Sequence, residues 1–118
     1  MKANELRIGN YLNLDYPISQ GSQLIRVSEN TILQIYRYEI AGNNHKFIPI
    51  PLTKEWLLKF GFEKKITSDV FPTFFKNKIN VNDRVVYVSE YGFLNHIKNV
   101  HQLQNLYYAL TGEELTII

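Results

Sequence analysis

Cysteine is missing altogether from this 118-residue chain, and methionine and tryptophan occur once each. Without a thiol there is no disulfide, no cysteine-ligated zinc and no thiolate nucleophile. A cysteine-free chain of this length fits a reducing compartment, so the cytoplasm is the expected location. Proline and glycine are few, four and six, and neither gathers into a linker or a repeat. No apolar run is long enough to cross a bilayer, and the opening Met1-Lys2-Ala3-Asn4-Glu5-Leu6 lacks the hydrophobic stretch of a secretory leader, so no membrane partner is expected. A dominant charge sign is lacking too. Thirteen basic and eleven acidic side chains leave +2, too little to draw the whole chain to nucleic acid or to an anionic surface.

Aromatics are what the chain has in plenty: eight Tyr, seven Phe and Trp56. Flat side chains of that size can fill a core that has almost no methionine. The length suits a single domain over 1–118.

The first forty residues read as a β-meander, with curling into a small barrel as the alternative. Leu6–Leu14 is a strand with a bulge at Gly9-Asn10, Asp15–Ser22 a loop, and Gln23–Ser28 a second strand. After a turn at Glu29-Asn30, Ile32–Ile40 alternates, with Tyr36, Tyr38 and Ile40 on one face. Ile48-Pro49-Ile50-Pro51-Leu52 carries two prolines and reads as an extended crossover. Thr53 then caps a short helix, Lys54–Phe60, with Gly61 at its end and Phe62 returning to Leu57. Trp56, Leu57 and Phe60 form its inward stripe.

Phe74–Val81 reads as a strand with Phe75, Ile79 and Val81 on one side and Lys76, Lys78 and Asn80 on the other. A turn at Asn82-Asp83 and a strand at Arg84–Glu90 would set Lys78 opposite Tyr87 and Ile79 opposite Val86. Asn99 and Gln102 make a capping box for a longer helix whose apolar face is Val100, Leu103, Leu106, Tyr107 and Leu110. Strands, short helix, strands and long helix define an α+β fold with a mostly antiparallel sheet carrying helices on one face.

Chemistry is sparse. His45, His96 and His101 lack the spacing of a metal site and read as surface or capping residues. Glu113-Glu114 is a solvated pair, and no nucleophile elbow or phosphate-cradling glycine loop occurs. No catalytic residue, metal or cofactor is therefore assigned. Lys59, Lys64, Lys65, Lys76 and Lys78 face only Glu63 and Asp69 within residues 59–78. Lys76 and Lys78 beside Tyr87 are thus the candidate nucleic-acid face, by phosphate contact and base stacking. Tyr108, diverging by about 100° from its buried neighbour Tyr107 on the helix, is a candidate protein contact.

Three strings carry a resemblance: Leu6-Arg7-Ile8-Gly9-Asn10-Tyr11, the run Pro49 to Phe62, and the run Val100 to Leu115. Together they resemble a family of small uncharacterised proteins found in Bacteroidota genomes and in their phages and prophages. The resemblance implies a cytoplasmic accessory or host-modulating protein linked to mobile elements, and it carries over no functional residue. The expected function is binding through a protein surface, with an unknown partner or by self-association. The alternative is weak, non-specific nucleic-acid binding through Lys76, Lys78 and Tyr87.

Overall fold

The computed structural model describes residues 1–15, 22–65, 72–82 and 85–118. A 3-10 turn at Ala3–Glu5 precedes β1 (Tyr11–Asp15) and β2 (Ser22–Arg26), followed by α1 (Glu29–Ala41), β3 (Phe47–Ile48) and α2 (Lys54–Lys59). A run of five strands comes next: β4 (Glu63–Lys65), β5 (Thr73–Lys76), β6 (Ile79–Asn82), β7 (Val85–Val88) and β8 (Gly92–Leu94). The chain ends on α3 (Val100–Thr111) and a short tail. The fold is α+β, with two antiparallel sheets ordered β2-β1-β3 and β4-β5-β6-β7-β8. Among the described residues neither sheet closes into a barrel.

The expected meander ends early, because Ile32–Ile40 is helical. The Ser28 hydroxyl accepts the Thr31 N–H at 3.3 Å and the Thr31 hydroxyl accepts the Ser28 N–H at 3.2 Å. These reciprocal bonds start α1, with Thr in the place where Glu or Gln marks the usual box. Thr31 and Ile35 are buried at i, i+4, while Tyr36, Tyr38 and Ile40 are exposed and share no strand face. Burial of a 3.6-residue stripe outweighs the β preference of Ile and Tyr. Ahead of it the first strand shortens to Tyr11–Asp15, and Ile8 and Gly9 (φ +96°) form its entry turn, closed by the Asn10 N–H on Arg7 O. Of the expected 15–22 loop, residues 16–21 lie outside the described residues.

The crossover and the short helix follow expectation. Pro51 makes only an isolated bridge to Asn99. The Thr53 hydroxyl accepts the Trp56 N–H, and α2 closes with Phe62 N–H on Leu57 O and Gly61 N–H on Leu58 O, both 3.0 Å. Those two bonds need Gly61 in the left-handed region (φ +82°). Trp56, Leu57, Phe60 and Phe62 are all buried.

The expected Phe74–Val81 strand is a hairpin. Asn77, at φ +52°, and Lys78 turn the chain so that Lys76 pairs with Ile79. Asparagine tolerates that backbone conformation better than other non-glycine residues. A two-residue turn inverts the alternation, so Phe75 leaves the face of Ile79 and Val81. The next register also shifts: Asn80, not Lys78, opposes Tyr87, and Val88, not Val86, opposes Ile79. Asn82 pairs with Val85 and so belongs to the strand, not to the expected Asn82-Asp83 turn; Asp83 and Arg84 lie outside the described residues.

α3 begins where the capping box places it. The Gln102 side-chain oxygen accepts the N–H groups of Asn99 and Lys98 at 2.9 and 2.8 Å. Val100, Leu103 and Tyr107 are buried, Leu106 and Leu110 half-buried. α2 and α3 cover the inner face of the five-stranded sheet, where Phe74, Ile79, Val81, Val86 and Val88 join Trp56, Leu57, Phe60, Leu103, Tyr107 and Leu115 in one core. A smaller core of Ala3, Leu6, Leu12, Val27 and Ile35 lies under α1.

Candidate interaction surface

The three residues singled out for nucleic acid do not share a surface. Lys76 lies on the inner-face side of β5, directly across from buried Ile79, and its ammonium donates to Phe60 O at 2.7 Å. There it meets the negative end of α2, a structural task for the charge, and sits 5.7 Å from the centre of the Tyr107 ring. Lys78 occupies the hairpin turn and pairs with Glu90 at 2.9 Å. That hydrogen bond, then the charge of Glu90, pushes the Lys78 ammonium above its ordinary pKa. Tyr87 is on the opposite, outer face, its ring 5.1 Å from that of Phe93. Tyr108 is exposed as expected, but the Arg7 guanidinium lies over its ring at 3.9 Å.

The three strings behind the family resemblance converge in a buried polar joint. Gln104 of α3 has no exposed surface; its carbonyl accepts the Tyr11 N–H at 2.8 Å and its amide donates to Gly9 O and Leu115 O, each at 3.1 Å. Asn10 is equally buried. Its side-chain oxygen accepts the Arg7 N–H at 2.7 Å, its amide donates to Asn105 at 2.9 Å, and its backbone carbonyl accepts the Val27 N–H at 2.8 Å. Arg7 also pairs with Glu114. From the middle string, Trp56 and Phe60 pack on the Tyr11 ring at 5.6 and 6.0 Å. Gln104 and Asn10 each engage both side-chain oxygen and nitrogen with other parts of the chain, so their polarity serves the fold.

His101 departs from the surface expectation. It is 1% exposed, both ring nitrogens lack a hydrogen-bond partner, and its nearest charged group is Glu5 at 3.8 Å. Burial holds the imidazole below its ordinary pKa, with Glu5 opposing and the N-terminal ammonium adding to the depression. His45 bonds the Met1 carbonyl at 3.3 Å, and His96 is exposed. Among the described residues no three potential ligands gather around a point that could hold a metal ion.

The outer face of the five-stranded sheet is where the chain keeps side chains it does not use internally. Directly paired residues run across all five strands in one row: Glu63, Phe75, Asn80, Tyr87 and Phe93. Two residues along each strand lies a second row, Lys65, Thr73, Asn82 and Val85. Direct partners share a face, so these nine side chains form one surface. Phe93 is 69% exposed, Glu63, Lys65 and Asn82 are exposed, and the rest are half-buried. Tyr91, just before β8, is exposed beside them. Sequence reasoning placed Phe75 on the side of Ile79 and Val81 and passed over Phe93; the signal it needed was the turn at Asn77, which flips the face of the strand before it.

Set against known families, curated proteins and solved structures, the chain matches no family model, no curated protein and no solved structure. Among the described residues no helix is long and apolar enough to cross a membrane.

Proposed function

We propose that this is a binding protein that works through a protein–protein surface, and that the surface is the outer face of the five-stranded sheet. One observation carries it: Phe75, Tyr87 and Phe93 stand in a single row on a sheet whose other face is already covered by α2 and α3. Aromatics on three of the five strands, with the charges of the two rows confined to the edge strand β4, match the composition of protein interfaces. The resemblance to the Bacteroidota and phage family supports a cytoplasmic accessory role. Nucleic acid is the weaker reading. Lys76 and Lys78 are engaged within the fold, and the one lysine in the two rows, Lys65, sits two residues from Glu63.

The test is a photo-crosslinking phenylalanine analogue at position 93, with the same group at Ile40 on α1 as control. Irradiation of cells should give discrete protein adducts at 93 and few at 40. Adducts to nucleic acid that disappear at moderate salt would favour the alternative, since phosphate contacts weaken steeply with salt. Equal labelling at both positions would leave the sheet face with no special role.

A further inference from the structure

Resting on the interface reading above, we infer that the partner is a second copy of this chain, docked outer face to outer face. The two-fold axis runs across the strands, between the two rows. A symmetric dimer must present one patch that complements itself, and the two rows have that property. Rotation about such an axis lays the first four residues of the first row over their strand neighbours in the second row of the other copy, while Phe93 on the edge strand flanks the contact. Glu63 then meets Lys65 of the second chain, and Lys65 meets its Glu63, since the two alternate on β4. Phe75 covers Thr73, Asn80 meets Asn82 and Tyr87 covers Val85, each pair again two residues apart on one strand. Acid faces base, amide faces amide and ring faces methyl groups, in both directions at once. None of these four described pairs sets like charges together.

The geometry also sets the strength. Four inter-strand spacings make the first row about 19 Å wide, and the rows are about 7 Å apart. Sheets packed face to face keep their strands within about 30° of alignment, so the rows stay in register near the axis. A patch of that size falls below the ~800 Å² per partner of a standard interface. The dimer is therefore a weak one that exchanges with monomer.

Sedimentation equilibrium on the purified chain tests this, with circular dichroism confirming that each variant is folded. Wild type should move from the 13.9 kDa monomer toward twice that mass as concentration rises. Glu63→Lys alone, or Lys65→Glu alone, should raise the dissociation constant about tenfold or more, because each brings two like-charged corners together. Mixing the two single variants should restore association, since one chain then offers only cations at the corner and the other only anions. Tyr87→Ser should weaken association without altering its charge dependence. A dimer indifferent to all three substitutions overturns the inference by placing the interface elsewhere. A monomer at every concentration also overturns it. In that case crosslinks from position 93 to another protein would leave the interface reading standing, and their absence would remove both.

Discussion

Replacing Gln104 by leucine keeps the volume of the side chain but removes the three hydrogen bonds that tie α3 to the first turn and to the tail. The carbonyl of Gly9 keeps a second donor, the Arg26 Nε at 3.3 Å. The Tyr11 N–H and the Leu115 carbonyl lose the Gln104 partner in a region closed to water. Each buried group left unpaired costs about 1–3 kcal/mol, partly offset by the apolar gain of leucine, so Gln104→Leu should cost about 2–5 kcal/mol. Against a typical total of about 5–15 kcal/mol this is a large fraction. For a domain of this size it lowers Tm by about 10–20 °C. Urea unfolding followed by tryptophan fluorescence measures it well, because Trp56 packs on Tyr11. Gln34→Leu on the exposed face of α1 is the control and should stay within about 0.5 kcal/mol of wild type. A Gln104→Leu midpoint within about 1 kcal/mol of wild type, at unchanged slope, would refute the joint's role.

Two further outcomes are expected. His101 is depressed from its ordinary value of 6.5 by burial, so the unfolded chain takes up the proton first as the medium is acidified. Its contribution is complete above 6.5 and is lost as pH falls below that value toward the folded-state pKa; His101→Phe should flatten this part of a urea-midpoint profile, and an unchanged slope would contradict it. Gly61→Ala must hold alanine at φ +82° with its methyl against the Ile118 side chain, and should cost about 1–3 kcal/mol by thermal melting, whereas a neutral result would deny the strain.

Local chemistry was legible wherever it was self-sufficient. Thr53, Gly61, Asn99 and Gln102 mark both ends of α2 and the start of α3 through bonds spanning at most a few residues. α1 was illegible because its cap uses Thr31 and its outer face carries tyrosines and isoleucines that equally suit a strand. The hairpin misled for a different reason. One turn residue, Asn77, decides the face of the whole preceding strand, and the Lys76 ammonium finds its partner sixteen residues away on Phe60. Gln104 meets Tyr11 and Asn10 meets Asn105 across the length of the chain, pairings no local pattern announces.

Hydroxyl-radical footprinting at increasing protein concentration tests the outer face most directly, since it reads the solvent access of named side chains. Oxidation of Tyr87, which the second copy covers, should fall as concentration rises, while that of Tyr36, exposed on α1, stays constant. Tyr87 reacting equally at every concentration, or protection appearing at Tyr36 instead, would contradict self-association through this sheet.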